Sequence, residues 1–192
     1  MRKLSAGLFH SVDGVVEAPD QWQFDAFDDE LGALLGKVMA SVDTVLLGRK
    51  GYEEWAGYWP SAEADQDFAG FINTTPKFVA SRTLTQKLLG WQNSTLIEGE
   101  LVPFVRDLKA KPGGEIAVMG GFSLTRQLLF AGLLDSLMLI THPVVAGQGR
   151  RHLFEPGDPV TRLDLLDCMR TSKGNVVTTI WGEGGVTRAG GA

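Results

Sequence analysis

Two glycine turns in the sequence carry the residue types that bind phosphate groups. Gly120-Gly121 separates an apolar run at residues 116–119 from a stretch whose apolar residues recur at helical spacing. Glycine accepts positive φ and lets a ligand approach the backbone closely, and the free N–H groups of a helix N-terminus attract anions. Gly48-Arg49-Lys50 follows a second apolar run and repeats this arrangement. A glycine pair alone is a weak signal, because a tight turn also explains it.

A third turn, Ser81-Arg82, follows the apolar residues 77–80. The carboxyl ends of parallel strands face one crevice in an open α/β sheet, so the three turns are expected to converge on one ligand. Each turn also has a simpler explanation by itself. The glycine pair could be a tight turn, Arg49 a solvated helix cap and Arg82 a surface charge. Together they favour a ligand that carries phosphate. The dinucleotide motif GxGxxG is absent, so the site is not an ordinary Rossmann site.

The predicted elements that must position these turns alternate along the first two thirds of the chain. Strands are predicted at residues 3–10, 44–47, 77–80, 94–97 and 116–119. Helices are predicted at residues 31–42, after Gly48, at 101–108 and at 124–131. This alternation indicates an α/β fold with a central, mostly parallel sheet flanked by helices.

The pattern changes after Leu133. Strands are predicted at residues 136–145, 163–170 and 176–181, with no helical pattern between them, and the segment 172–175 has the composition of a hairpin turn. We therefore expect antiparallel strands at one edge of the sheet. One domain is predicted over residues 1–183, followed by a flexible C-terminal tail at residues 184–192.

Composition narrows the classes of function. At 192 residues the chain suits a single domain, and its net charge of -5 provides no basic surface for nucleic acid. No apolar stretch approaches the roughly 20 residues that a membrane helix needs. The single Cys168 excludes an internal disulfide and a cysteine-rich zinc site, and the three histidines are too widely spaced to suggest a metal site. The expectation is a cytoplasmic protein that acts on a small molecule, without nucleic acid, membrane or metal.

Four stretches and the closing hairpin resemble a known family in the family's own order; the stretches are SVDGVV, VDTVLLGRKGYE, PKFVASRTL and VMGGFSLTRQLLFAGLLDSLMLITHPVVAGQGRRHLF. They resemble the reductases with the dihydrofolate reductase fold, most closely the reductase domain of the bifunctional riboflavin-biosynthesis deaminase/reductase. The last stretch is the most specific, because it joins the glycine pair to an LLxxGLLD helix end and a PVVxGxGxxLF strand end. The resemblance implies a dihydrofolate reductase-like fold and a homodimer formed through the edge of the sheet.

The resemblance also implies NADPH as the cofactor. Ser81 and Arg82 match the position that meets the adenosine 2′-phosphate, for which a guanidinium is a bidentate partner. Asp13 is the predicted catalytic residue, beside the nicotinamide and the substrate, although Asp13-Gly14 is also an ordinary turn. The remaining predicted cofactor contacts are Gly14, Gly48, Arg49, Lys50, Met119, Gly120, Gly121, Phe122, Ser123 and Leu124.

The resemblance implies a substrate similar to 5-amino-6-(5-phosphoribosylamino)uracil, whose ribose phosphate Arg150 and Arg151 would contact. A solvated, charged strand end explains these two arginines equally well. Folate-reducing members carry a carboxylate on the first helix, and counting back from Gly48 places that position at Gly32, with Asp29 and Glu30 out of register. This disfavours dihydrofolate as the substrate. Dihydrofolate reduction and a non-catalytic nucleotide-binding module remain the alternatives.

Overall fold

A computed structural model describes residues 1–147, 149–180 and 187–188 of the chain. Its α-helices are α1 (Asp29–Ser41), α2 (Arg49–Tyr58), α3 (Gln66–Thr74), α4 (Leu101–Ala110) and α5 (Phe122–Phe130). Its strands are β1 (Leu4–Ser11), β2 (Val42–Gly48), β3 (Lys77–Ala80), β4 (Ser94–Leu96), β5 (Glu115–Met119), β6 (Ser136–His142), β7 (Thr161–Arg162), β8 (Leu165–Arg170), β9 (Val176–Ile180) and β10 (Thr187–Arg188). In these residues no helix is both long and apolar enough to cross a bilayer.

Eight strands form one sheet in the order β4-β3-β2-β5-β1-β6-β9-β8. The pairs from β4 to β6 are parallel, and β9 joins β6 and β8 antiparallel. The predicted α/β fold and the antiparallel C-terminal strands are therefore confirmed. β7 and β10 form a separate two-stranded sheet.

Helices cover both faces of the main sheet, because the buried strands are apolar on both sides. The first face carries α4 and α5, where Val105 and Leu128 pack with Leu46 of β2. The second face carries α2 and α3 over β2 and β3, and α1 over β6 and β9. Leu46 lies in the first core, whereas its neighbours Val45 and Leu47 lie in the second.

Several predicted boundaries differ from the structure. The predicted helices include no counterpart of α3, a helix of 9 residues whose apolar residues, Phe68, Ala69, Phe71 and Ile72, span little more than one turn. β6 ends at His142 instead of residue 145, because the chain turns at Pro143, where the Val144 N–H donates to the His142 carbonyl at 2.7 Å. Of the predicted tail at 184–192, all but residues 187–188 lies outside the described residues.

The parallel strands give the main sheet two opposite edges. The amino edge is the end of the sheet that holds Leu4, Val42, Lys77, Glu115 and Ser136. The carboxyl edge is the opposite end, which holds Ser11, Gly48, Ala80, Met119 and His142.

Two ion pairs, each formed by a buried cation and a more exposed carboxylate, fasten the amino edge. Arg2 pairs with Asp43 and donates hydrogen bonds to the Gly114 carbonyl and the Thr44 hydroxyl, both at 2.8 Å. Asp43 also accepts the Gly114 N–H. This cluster holds the starts of β1, β2 and β5 together.

The second pair joins Lys109, at the end of α4, to Asp135, which precedes β6. Lys109 also donates to the Leu133 carbonyl at 2.7 Å, and Asp135 accepts the Leu4 N–H at 2.7 Å. Only 4% of Lys109 is exposed. The pair therefore fixes β1 and β6 to the end of α4.

A third buried cation on this edge, Lys77, is bonded to carbonyls. Its ammonium donates to Ile72 and Thr75, each at 2.8 Å, and lies 4.5 Å from the centre of the Trp91 ring. These bonds satisfy carbonyls at the C-terminus of α3. Burial lowers the pKa of Lys77 to about 8.

Candidate functional site

The three predicted turns lie side by side on the carboxyl edge. β2 lies between β3 and β5, with Gly48 paired to Ala80 and Leu47 paired to Met119. All three strands are parallel, so Ser81, Gly48 and Gly120 leave the sheet at the same end. The three turns therefore share one edge of the sheet, and the single ligand expected there stays a prediction.

The two glycine turns touch each other through their backbones. A Cβ on Gly51, in the first turn of α2, would lie 2.7 Å from the carbonyl carbon of Gly120 and closer still to its oxygen. Gly120 has φ +57°, and a Cβ there would lie 3.1 Å from the Trp55 ring. Gly51 is a site residue that the sequence analysis does not predict. Its one local signal is a glycine inside a helix, where glycine costs about 1 kcal/mol relative to alanine.

Each turn opens a helix. Gly48 is the N-cap of α2 and Gly121 is the N-cap of α5, so neither cap position has a side chain to accept the first N–H groups. A Cβ on Gly121 would lie 3.5 Å from the Gly48 nitrogen, which shows how close the two helix starts are. Two adjacent helix N-termini create a positive field that suits a phosphate group.

Other predicted contacts of α5 are divided between core and surface. Leu124 is buried in the core beneath the helix, so only its backbone is available to a ligand. Met119 and Phe122 are partly buried, and Ser123 is exposed. These residues surround the Gly120-Gly121 turn.

Exposed cations accompany the turns. Arg49 pairs with Glu53 at 2.9 Å, one helical turn further along α2, and Lys50 is exposed beside it. Arg82 is exposed at the end of β3. The Ser81 hydroxyl accepts the N–H groups of Thr83 and Leu84, which shapes the turn that carries Arg82.

Asp13 fastens the loop after β1 to the segment after β6. Its carboxylate accepts the Ser11 hydroxyl and the N–H groups of Ala146 and Gly147, the last two at 2.9 Å. The hydrogen bond from Ser11, followed by that from Ala146, holds the pKa of Asp13 well below its usual range. Asp13 is therefore a carboxylate at neutral pH, an arrangement suited to positioning the loop. Its predicted catalytic role stays a prediction.

Gly14 has φ +90°, a conformation that favours glycine, and a Cβ there would lie 3.1 Å from the His152 ring. His10, on β1, is half-buried beneath it, with Nδ1 3.3 Å from the Thr141 hydroxyl. Burial lowers the pKa of His10, and neighbouring His152 lowers it further, while Asp13 opposes this. A neutral imidazole therefore lies next to the Asp13-Gly14 loop.

Arg150 and Arg151 have different environments. The Arg150 guanidinium donates to the Ala146 carbonyl at 2.8 Å and to Gln21. Arg151 is exposed, and its guanidinium lies 4.7 Å from the centre of the Phe122 ring and 3.3 Å from the Ser123 hydroxyl. Arg151 thus lies at the start of α5, beside the glycine pair, whereas Arg150 braces its own loop.

A buried polar network that the sequence analysis does not predict lies on the α1 side of the carboxyl edge. His142 Nδ1 lies 2.6 Å from the Asn175 side-chain oxygen, and its Nε2 lies 3.0 Å from the Gln23 amide. Asn175 also donates to Asp28, the N-cap of α1. Burial lowers the pKa of His142, so the ring is neutral and accepts from Gln23. The network ties the start of α1 and the β8–β9 turn to the end of β6.

Asp28 is the buried carboxylate nearest the start of the first helix, and its oxygens are occupied. They accept the N–H groups of Leu31 and Lys173, at 3.0 and 3.1 Å, as well as the Asn175 amide. Asp29 and Glu30 are exposed. The carboxylates at this helix start therefore have structural roles or face solvent.

Two surface cavities have linings that include neither Gly48 nor the Gly120-Gly121 pair. One of about 640 Å³ runs along α2, between Tyr52 and Trp91. The other, of about 300 Å³, lies between α5 and the loop at Phe154 and Asp158.

Comparison with known proteins gives a consistent result. The family model described as RibD C-terminal domain matches residues 2–177. A curated relative from Bacillus subtilis (strain 168), "Uncharacterized protein YyaP", is 29% identical over 153 residues, which is 78% of this chain and 79% of that protein.

Three solved structures share the fold. A putative riboflavin biosynthesis protein from Shewanella sp. PV-4 has a TM-score of 0.71 at 20% identity, over 97% of this chain and 99% of that one. A pyrimidine reductase-like protein from Corynebacterium diphtheriae has a TM-score of 0.66 at 17% identity, over 97% and 92%. RibD from Acinetobacter baumannii has a TM-score of 0.59 at 13% identity, over 94% of this chain and 58% of that one.

Proposed function

The chain belongs to the RibD C-terminal domain family, and from this premise we propose that it is an NADPH-dependent reductase of a small heterocyclic substrate. The substrate that best suits the family is 5-amino-6-(5-phosphoribosylamino)uracil or a similar pyrimidine. The proposal extends the family membership to a cofactor and a reaction.

The contact between the two glycine turns is the observation that carries this proposal. It brings the N-termini of α2 and α5 together, and a Cβ on Gly48 would meet no atom within 4 Å. Arg49, Lys50, Arg82 and Arg151 are exposed around these turns in a chain whose net charge is -5. Concentrated positive charge beside bare backbone fits the phosphates of a dinucleotide.

The chain's own residues would bind and orient the reactants. The N–H groups that follow Gly48 and Gly121 would hold the pyrophosphate, and Arg82 would meet the 2′-phosphate as a bidentate donor. Asp13 would keep the loop over the nicotinamide end in place through its bonds to Ala146 and Gly147. When bound, NADPH supplies the hydride, so positioning and electrostatics are the contribution of the protein.

The two arginines after β6 would differ in role. Arg151 is the better candidate for a phosphate group of the substrate or the cofactor, because it is exposed, whereas Arg150 is bonded to Ala146 and Gln21. Dihydrofolate is a poorer substrate candidate, since the Asp28 carboxylate is already satisfied by three donors.

The proposal is tested by titrating the protein with NADPH and with NADH. NADPH should bind more tightly, and Arg82→Ala should remove roughly 1 to 3 kcal/mol of that preference, the range for hydrogen bonds to charged groups. Lys87→Ala, which removes another exposed cation of the same loop, is the matched control. Equal affinities in the parent protein would contradict the assignment of Arg82.

Turnover is tested by following NADPH oxidation with the pyrimidine and with dihydrofolate. Oxidation with the pyrimidine supports the proposed reaction. Tight NADPH binding without oxidation of either acceptor would favour a nucleotide-binding module instead.

The proposal includes a homodimer. β8 is the edge strand of the sheet, and Leu165 and Leu166 on it are exposed by 63% and 51%. Edge strands with exposed apolar side chains readily pair with another chain. The mass in solution should therefore be that of two chains, and Leu166→Lys should shift it towards one; a monomeric parent protein would contradict this.

A further inference from the structure

Four aromatic rings form a row on the α1 side of the carboxyl edge. Phe27 meets Phe9 at a centroid distance of 6.5 Å, Phe9 meets His142 at 5.5 Å, and His142 meets Trp22 at 5.9 Å. His142 and Trp22 are buried, at 0% and 2% exposure, whereas Phe27 is 48% exposed. The row therefore begins in the core and ends in an open ring.

The row lies beside the proposed cofactor site. β1 pairs with β5 in parallel, so Phe9 near the carboxyl end of β1 lies at the same edge of the sheet as the glycine pair that follows β5. From β3 to β1 the sheet spans three strand intervals, roughly 14 Å at about 4.8 Å per interval. A dinucleotide whose 2′-phosphate meets Arg82 and whose pyrophosphate meets Gly121 would thus end over β1, next to Phe9.

The Phe27 ring is held by its surroundings without being covered. It lies against the first turns of α1, where a Cβ on Gly32 would be 3.6 Å from its edge. The neighbouring Asp28 carboxylate is bonded to Leu31, Lys173 and Asn175. The side chain that is exposed here is therefore an aromatic ring, and the neighbouring buried carboxylate already accepts hydrogen bonds from within the protein.

We infer that Phe27 is a specificity-determining residue that stacks against a planar heteroaromatic acceptor. This inference rests on the proposed function and adds how the acceptor is recognised. An aromatic face attracts any planar ring by offset stacking and needs no charge on it, whereas a saturated sugar or chain gains little. The other rings of the row pack behind Phe27 and restrain its ring. Little side-chain conformational entropy is therefore lost when an acceptor stacks on it.

The experiment uses lumazine, a planar and fluorescent pteridinedione, as the probe. The protein is first saturated with NADP⁺, and lumazine binding is followed by its fluorescence. Phe27→Ala should weaken lumazine binding about ten-fold or more, in line with the measured loss per stacked base. Phe27→Leu keeps the apolar character without the ring and should also weaken binding, whereas Phe27→Trp should preserve it.

Phe24→Ala is the matched control, because Phe24 is 80% exposed in the same segment and is not a member of the row. It should bind lumazine as the parent does. Ribose 5-phosphate is not planar, so its competition with lumazine should be the same in the parent protein and in every variant.

The inference is overturned if lumazine fails to bind the loaded parent protein, or if Phe27→Ala or Phe27→Leu binds it normally. The affinity for NADP⁺ is measured in the same samples. A parent protein that does not bind NADP⁺ would contradict the proposed function. Normal NADP⁺ binding together with unchanged lumazine binding by the Phe27 variants would contradict this inference alone. Thermal melting of each variant shows that it is folded.

Discussion

The two edges of the sheet use their positive charges in opposite ways. On the amino edge, Arg2 and Lys109 are buried and paired with carboxylates. On the carboxyl edge, Arg82 is exposed in the turn after β3, and Arg151 is exposed beside the N-terminus of α5. A buried pair holds strands in place, because removing either member leaves an unpaired charge. An exposed cation contributes little to folding and is available to a ligand.

This contrast predicts that stability and cofactor binding can be changed separately. Substitutions at the amino edge should lower the free energy of unfolding without changing the cofactor affinity of the folded protein. Substitutions of the exposed cations at the carboxyl edge should do the reverse.

The largest effect is expected for Asp135→Ala on the amino edge. It leaves the Lys109 ammonium, whose side chain is 5% exposed, without its carboxylate partner. The free energy of unfolding should therefore fall by about 3 to 5 kcal/mol. Urea denaturation measures this, and NADPH titration of the folded fraction should give the parent affinity. The double variant Lys109→Met with Asp135→Ala should recover part of the loss. A change below about 1 kcal/mol would show that this pair does not fasten the edge.

Gly51→Ala tests where the two turns touch. The added methyl group would overlap the Gly120 carbonyl, so the turns must separate. We expect NADPH affinity to fall about ten-fold or more, with a stability loss of roughly 1 to 3 kcal/mol from overpacking. Gly57→Ala in the same helix is the control, because its Cβ would meet nothing within 4 Å, and it should be neutral or stabilising. Equal behaviour of the two variants would refute the contact.

Lys77 provides a pH test of the amino edge. Its pKa is about 8 in the folded state, against about 10.4 for a free lysine, so between these values the unfolded chain binds more protons. The free energy of unfolding should therefore rise with pH, by about 1 to 2 kcal/mol between about pH 8 and pH 9.5, relative to Lys77→Met. Urea denaturation at several pH values measures the difference. Parallel pH profiles for the two proteins would argue against a depressed pKa.

The smallest effect is the coupling between Arg49 and Gly121. Arg49→Ala and Gly121→Ala are both mild, since a Cβ on Gly121 would make only ordinary contacts of 3.5 Å or more. If both residues hold one pyrophosphate, NADPH affinities of the parent, the single variants and the double variant should show an interaction energy of about 1 kcal/mol. Strict additivity would mean that the two turns bind different groups.

The carboxyl edge is largely predictable from sequence. Its strands are short apolar runs that end in glycine or in Ser81-Arg82, and parallel strands necessarily end at one edge. The positions of Gly48 and Gly120 at this edge could therefore be predicted from the sequence alone. Gly51 could not, because its requirement for glycine comes from a turn some 70 residues later in the chain.

The buried cations of the amino edge and their partners cannot be predicted from local sequence patterns. Arg2, Lys77 and Lys109 are charged, and charged residues are almost always exposed unless they are paired. Their partners lie far along the chain, as Asp135 does from Lys109, so no local pattern marks them.

The network of His142, Asn175 and Asp28 is missed for the same reason, since its members come from three separate elements.

The backbone contact between Gly51 and Gly120 has a consequence for the thermodynamics of binding. Ordering a flexible side chain around a ligand costs about 0.5 to 1.5 kcal/mol for each one immobilised. The walls at this contact consist of glycine backbone inside a helix start and a packed turn, which have no rotamers to lose. A phosphate bound there, as proposed, would meet donors whose conformational entropy was already lost when the chain folded.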